Sequence, residues 1–226
     1  MIRIHTITDY YRENLKTNIS EYLFIIKNLK WRTFFRLLLE RICSVNYYYI
    51  MKLNLKSVGQ YTITREPPGN LSIMSYKDLQ IIKKSIKVLG PNDRKEILAR
   101  IQFFEKGFQN CYVMKVKDTI AYMQWLINPS ENYLLEKYFK KIFYPLHNKQ
   151  VMIENAFTYP KFRGYGYLPY VSQNLLDIAQ EQGYKSVVGY IKINKIPSLN
   201  DFYKMGFKVT QLLRERKLLG SIYRNL

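Results

Sequence analysis

Residues 151–193 limit the fold more than any other stretch of the 226-residue chain. They read as a strand (Val151 to Thr158), a glycine turn, a helix (Pro169 to Gln182, ended by Gly183) and a second strand (Ser186 to Ile193). The turn is Pro160-Lys161-Phe162-Arg163-Gly164-Tyr165-Gly166-Tyr167-Leu168-Pro169. Gly164 and Gly166 let the backbone approach a ligand and turn successive N–H groups outward. The helix start adds its partial positive charge, and Pro169 sits in the first turn, where a missing N–H costs nothing. Val171, Leu175, Leu176 and Ile178 form the inward face of that helix. On its own, Gly-x-Gly fits either a tight strand-to-helix turn or a nest for a pyrophosphate. No Gly-Lys-Ser/Thr follows, so it is not a P-loop. The third Gly and the distal acid of a dinucleotide site are missing too.

The rest of the chain places this unit in a mixed α/β layer. Arg65-Glu66-Pro67-Pro68-Gly69-Asn70 is a loop. Ser75 to Leu89 reads as a helix, with Ser75 as N-cap, Asp78 in the first turn and Gly90-Pro91 as the stop. Asn92 to Lys106 is a second helix that buries Ile97, Leu98, Ile101 and Phe104. A hairpin follows: Asn110 to Val116, the turn Lys117-Asp118-Thr119, and Ile120 to Ile127. Glu131 to Phe143 is helical or irregular. Leu199 to Lys204 is a short helix closed by Gly206, and Phe207 begins the last strands. Hydrophobic residues at 47% suffice for a core. With 21 Tyr and 12 Phe, many rings should lie half-buried at the core edge or along a groove.

The turn and its flanks resemble the GNAT superfamily of acyltransferases. Arg163, Gly164, Tyr165, Gly166 and Tyr167 match the first five positions of that family's Gln/Arg-x-x-Gly-x-Gly/Ala segment, and Leu168 stands where a small residue is usual. Glu154-Asn155-Ala156-Phe157-Thr158-Tyr159-Pro160 resembles the family's fourth strand. Pro197 to Phe207 resembles its Asn-x-x-Ala/Ser…Tyr-x-x-x-Gly-Phe segment, and the hairpin around Cys111 to Trp125 resembles its second and third strands. The resemblance covers residues 56–226. It implies a largely antiparallel twisted sheet flanked by helices, preceded by a helical extension over residues 1–55. It also implies an N-acetyltransferase that moves an acetyl group from acetyl-CoA to a primary amine.

Residue by residue, the resemblance assigns coenzyme A to Phe157, Thr158, Arg163, Gly164, Tyr165, Gly166, Tyr167, Asn194 and Ser198. The main chain near Thr158 would pair with the pantetheine arm. Two positions depart from the pattern. Lys195 occupies the Asn site, next to Asn194. Phe202 occupies the site of a Tyr general acid, next to Tyr203. Tyr203 is the candidate acid for the departing thiolate, against a packing role beside Gly206. Glu154 is the candidate base for the incoming ammonium, against a structural hydrogen bond. No Cys or Ser stands out as a nucleophile, so the amine is expected to attack the thioester directly. The expected protein contribution is alignment of amine and thioester, plus a main-chain N–H on the thioester carbonyl.

Residues 19–42 read as one amphipathic basic helix. Phe24, Trp31, Phe35, Leu38 and Ile42 lie along one stripe, with Asn28, Arg32, Arg36 and Glu40 opposite. Two readings stay open: docking on the core, or a peripheral contact with an anionic membrane. Val45 to Leu55 reads as a strand or connector. Tyr22 to Ile42 is interrupted by Lys27, Lys30, Arg32, Arg36 and Arg41, so no spanning helix is expected, and Met1 to Tyr10 lacks an apolar signal core. Cys43 and Cys111 are too few for a disulfide scaffold, and His5 and His147 complete no ligand pair for a metal. The cytoplasm is the expected setting, with the membrane's inner face as the peripheral alternative. The basic, Tyr-rich front segment resembles that of acyltransferases found alongside bacterial surface-polysaccharide enzymes, which implies an amino sugar on a nucleotide or lipid carrier as acceptor and a place in polysaccharide biosynthesis. The formal charge of +19 suits polyanions in general, diphosphates and membrane headgroups among them. It also raises two rivals: a nucleic-acid-binding module, against which the dispersed charge and the lack of a reading motif count, and a non-catalytic acyl-CoA or membrane sensor.

Overall fold

The computed structural model describes residues 43–57, 66–218 and 221–225. The expected helix over residues 19–42, and with it the membrane contact, lies outside them. The chain groups into two compact units: Met1–Val45 with Arg216–Ile222, and Asn46–Glu215 with Tyr223–Leu226. All side chains discussed below belong to the second.

The strands are β1 (Cys43–Asn54), β2 (Asn70–Ile73), β3 (Cys111–Val116), β4 (Thr119–Ile127), β5 (Gln150–Thr158), β6 (Ser186–Lys192), β7 (Lys208–Leu218) and β8 (Ser221–Arg224). They form one sheet in the order β2-β3-β4-β5-β6-β1-β7-β8. Pairing is antiparallel for β2–β3, β3–β4, β4–β5 and β1–β6, and parallel for β5–β6. Residues 46–54, read from sequence with the front segment, are thus a strand of the sheet, paired with β6 from Tyr48↔Lys192 to Asn54↔Ser186.

Five α-helices accompany the sheet among the described residues: α1 (Tyr76–Ser85), α2 (Pro91–Glu105), α3 (Asn132–Phe139), α4 (Tyr167–Glu181) and α5 (Ile196–Lys204). The Ser75 cap is present as a capping box. Ser75 Oγ accepts from the Asp78 N–H, and the Asp78 carboxylate accepts from the Ser75 N–H. That helix is shorter than expected, because Ile86–Val88 tightens into a 3-10 turn. α4 starts at Tyr167, two residues before Pro169, so Pro169 occupies its third position.

Strands β4 and β6, and β5 from Val151 to Ile153, are nearly continuous apolar runs, as strands covered on both faces must be. One apolar cluster joins Trp125, Met152, Val188 and Ile50 to α1, α2 and α3. The other joins Leu126, Ile153, Val187 and Met51 to α4 and α5. The expected α2 face is corrected in detail: Leu98 is only half-buried, while Phe103 and Arg100 are buried. On α4, Ile178 is half-buried and Ala179 and Ser172 take the deep positions.

Candidate functional site

The parallel pairing of β5 and β6 stops early. It runs only from Gln150↔Ser186 to Met152↔Val188, after which β6 continues alongside β1 and β5 alongside β4. Beyond Met152 the inner edges of β5 and β6 no longer serve one another. Buried backbone groups left in this way need other partners. The Glu154 carboxylate accepts the Tyr190 N–H of β6 at 3.4 Å. On the β5 side, the Arg100 guanidinium of α2 donates from Nε to the Asn155 carbonyl (2.9 Å) and from Nη2 to the Ala156 carbonyl (2.8 Å). The split is therefore finished on both sides by side chains.

β5 also changes course here. Met123 pairs with Phe157 but Trp125 with Glu154, so β5 holds one residue more than β4 across that step. Asn155 takes up the extra length at φ 58°, in the left-handed region that Asn tolerates better than most residues. The polar pair Glu154-Asn155 interrupts the apolar run of 151–158 at this point, but it does not by itself announce a bulge.

Glu154 shares its sheet face with Trp125, on the side of α1, α2 and α3. Burial raises its carboxyl above the ordinary carboxylate range, opposed by the Arg224 charge, by the Asn155 and Tyr190 amides and by Arg100. Around it lie Tyr48 of β1 and Tyr190 of β6, both phenols pushed up to about 12, chiefly by burial. Arg224 of β8 pairs with Glu215 of β7 at 2.9 Å, and its guanidinium lies 4.0 Å from the Tyr48 ring centroid and 5.4 Å from that of Phe143. The Tyr144 N–H donates to Tyr190 Oη at 3.1 Å. This aromatic and charged wall was missed in sequence, because its members come from four distant strands and the segment after α3.

The glycine turn forms the other part of the site. After β5 a 3-10 turn, Pro160–Phe162, leads to Gly164 at φ 84° and Gly166 at φ 79°. A Cβ on either glycine would meet nothing within 4 Å, so backbone conformation is what demands glycine there. Gly166 is the N-cap of α4, and the first turn of the helix closes with the Tyr170 N–H on the Gly166 carbonyl at 3.3 Å. The Tyr167 and Leu168 N–H groups lie ahead of any i−4 carbonyl of this helix and point out of its end. Tyr167 itself is buried, donating its hydroxyl to the Pro68 carbonyl at 2.8 Å and stacking near Tyr122. Tyr165 is exposed. Arg163, assigned to coenzyme A by the resemblance, has its guanidinium on protein partners. Arg163 pairs with Asp93 of α2, and its Nε donates to the Thr158 carbonyl at 3.3 Å. Phe157 is buried, with the Arg100 guanidinium 5.2 Å from its ring centroid.

Asn194 and Ser198 flank the start of α5, the first exposed and the second half-buried. Phe202 is a core residue, 4% exposed, against Phe207. Gly189 of β6 is what makes room for it, since a Cβ there would come within 2.9 Å of the ring. Tyr203 is 51% exposed, about 100° further round the helix. Glu154 and Tyr203 thus belong to opposite faces of the sheet. A common substrate would have to pass between β5 and β6 where they part. Cys111 is fully buried, and burial holds its thiol well above the usual range. Among the described residues no cluster of His, Cys, Asp and Glu could hold a metal ion, and no helix is long and apolar enough to cross a membrane.

No protein-family model and no curated protein matches the chain. Solved structures do. The glucosamine N-acetyltransferase region of a fungal multi-domain β-N-acetylglucosaminidase aligns over 85% of this chain and 22% of its own, with a TM-score of 0.57 and 9% identity. A GNAT-family acetyltransferase from Colwellia psychrerythraea aligns over 80% and 56%, with a TM-score of 0.52 and 12% identity. The fold is the GNAT fold. A putative acetyltransferase of the GNAT family from Novosphingobium aromaticivorans aligns over 75% and 62%, at 0.50 and 11% identity. This chain spans less than two thirds of each of these proteins. At such identities the GNAT likeness extends to the backbone and carries no residue role with it.

Proposed function

We propose that this protein is an acyl-CoA-dependent N-acyltransferase that moves an acetyl group from acetyl-CoA to a primary amine. The observation that carries the reading is the pair of left-handed glycines, Gly164 and Gly166, opening α4 directly beyond a strand that has parted from its parallel neighbour. In a GNAT fold, that conjunction offers outward amides to a pyrophosphate and a strand that has left its parallel neighbour to an extended pantetheine arm. The turn residues fit such a cosubstrate. Nothing crowds either glycine, and Tyr165 of the turn and Asn194 ahead of α5 are exposed. Residues 163–167 would hold the pyrophosphate, with Phe157 and Thr158 beside the arm.

In the reaction the amine nitrogen bonds to the thioester carbonyl carbon, the C–S bond breaks, and the bonding pair leaves on the coenzyme A sulfur. Glu154 is the group that takes the amine proton, directly or through water. Its elevated carboxyl is better matched to that task than an ordinary surface glutamate. Tyr203 is the residue that would return a proton to sulfur, since Phe202 has no hydroxyl. For the acceptor we favour an amino sugar on a nucleotide or lipid carrier. The +19 charge suits a diphosphate, the Tyr48–Tyr190–Phe143 wall suits a sugar ring, and the fungal neighbour is named for glucosamine.

Calorimetric titration of acetyl-CoA tests the reading. Wild type should bind in the micromolar range and Gly166→Asp, which sets a carboxylate in the nest, should lose roughly tenfold or more. No binding by wild type would end it. Phe202 in place of a Tyr acid favours a second reading, an acyl-CoA sensor without turnover. Tight binding with no acetylation across amino sugars, polyamines and peptides would select that one.

A further inference from the structure

The end of β5 turns a carbonyl toward the side where β6 has left it. The Tyr159 N–H donates to the Ala121 carbonyl at 3.0 Å, so these two residues form a hydrogen-bonded pair with β4. The next pair, Tyr122↔Thr158, is then of the other kind, with its N–H and C=O groups turned away from the partner strand. The Thr158 carbonyl therefore faces the parting. That acceptor is already taken: Arg163 Nε donates to it at 3.3 Å, while Arg163 Nη2 pairs with the Asp93 carboxylate of α2. We propose that Arg163 and Asp93 form a latch over the cosubstrate strand, which makes Asp93 a specificity-determining residue. The latch opens for a thioester that carries a diphosphate and stays closed to one that lacks it. The proposal rests on the acyltransferase reading.

One guanidinium stands between two needs of the same ligand. A pyrophosphate at Gly164 and Gly166 gains from a neighbouring cation, and an arm extended along β5 needs the Thr158 carbonyl as acceptor. In this state Arg163 meets neither need, since Asp93 neutralises it and it covers the acceptor. Moving the guanidinium from carboxylate to phosphate meets both. One charge-assisted contact replaces another, and the carbonyl becomes available to an amide of the arm. A thioester without phosphates offers no anion to draw the arginine away, so its arm competes against both bonds. Burial shows which arginine of this edge can move. Arg100 is buried, with Glu96, Asn155 and Ala156 all on its guanidinium. The Arg163 side chain is 53% exposed, and its own N–H rests on the Pro160 carbonyl at 3.3 Å, so a side-chain rotation suffices. Asp93 cannot follow it. It lies in the first turn of α2, where the helix end favours an anion, two turns before the Arg100 that ties this helix to β5.

Two ligands separate the latch from a plain phosphate contact. Wild type, Asp93→Asn, Arg163→Met and the double variant are titrated with acetyl-CoA by calorimetry. They are also titrated with S-acetylpantetheine, which has the arm and no phosphate, by amide shifts of labelled protein. S-acetylpantetheine is uncharged, so Asp93 reaches it only through Arg163. Toward acetyl-CoA, Arg163→Met should lose roughly tenfold, the worth of a hydrogen bond to a charged group. Asp93→Asn should gain about two- to fivefold, the size of a partly exposed ion pair. Toward S-acetylpantetheine both single variants should bind about two- to fivefold tighter than wild type, and the double variant no tighter than Arg163→Met. Arg163→Met that leaves S-acetylpantetheine binding unchanged or weakens it overturns the proposal. So does a further gain from Asp93→Asn in the Arg163→Met background, and so does the lack of any S-acetylpantetheine shift in every variant. If Arg163→Met fails to fold, Asp93→Asn decides alone, and no tightening of S-acetylpantetheine overturns the latch. Wild type that binds no acetyl-CoA removes the acyltransferase reading itself, a result distinct from all of these.

Discussion

Glu154 is asked to do two opposed things. Its burial disfavours the charged form that a base requires, and its carboxylate stands in for a missing strand partner of Tyr190. Because the folded carboxyl is raised above its unfolded value, its share of stability is present below the ordinary carboxylate pKa and is lost as pH rises through the raised value. Glu154→Gln keeps an acceptor for the Tyr190 N–H and removes the charge. It should therefore melt higher than wild type at neutral pH, by roughly 2–4 °C per kcal/mol relieved, and the difference should vanish near pH 4. Acetyl transfer should fall roughly 10²- to 10⁴-fold. In wild type, kcat/KM should rise with pH through an inflection above the usual glutamate range, since the deprotonated form is the active one. A variant that melts lower at neutral pH, or that keeps its rate, would show Glu154 to be structural. Sequence named Glu154 through resemblance alone. Its environment was not legible, because Tyr48, Tyr190 and Arg224 reach it only through strand order.

At the level of elements, local signals were readable wherever the cause is local. Ser75 and Asp78 form the capping box that their spacing announces, and Gly90-Pro91 separates α1 from α2 as turn residues should. The glycine turn was legible too, yet its reason is narrower than crowding. Both glycines sit in open space, so only φ is at stake. Gly166→Ala should then cost about 1–2 kcal/mol, the price of an L-residue in the left-handed region, and Gly166→Asn noticeably less, because Asn visits that region. Urea unfolding of the pair reads this directly. Equal losses for Ala and Asn would point to a demand other than φ. The β5 bulge was illegible for the converse reason. Asn155 follows Glu154 as a second polar residue, a pairing that names no particular backbone shape, and its carbonyl is held by Arg100 from a helix 55 residues earlier.

Across the whole unit, non-local pairing joins β1 and the last strand to the site. β1 lies beside β6, and Arg224 near the C-terminus is held among Glu215, Tyr48 and Phe143. Both members of the Arg224–Glu215 pair are almost fully covered, at 7% and 9%. Removing one alone strands the other, so Arg224→Met should cost about 3–5 kcal/mol in urea unfolding, while Arg224→Met with Glu215→Leu should recover much of it. Arg224 also carries the largest favourable influence on the ionised Glu154. Its loss should move the activity inflection to higher pH, and Glu215→Leu cannot repair that, because it restores packing and not the positive charge. Arg100, the other cation acting on Glu154, is present throughout and limits that rise. The double variant thus separates two contributions that a single substitution confounds. Recovered stability with an unrecovered pH profile would establish that the C-terminal strand acts on the site through charge. A profile that returns with stability would show that it acts only by keeping the sheet intact.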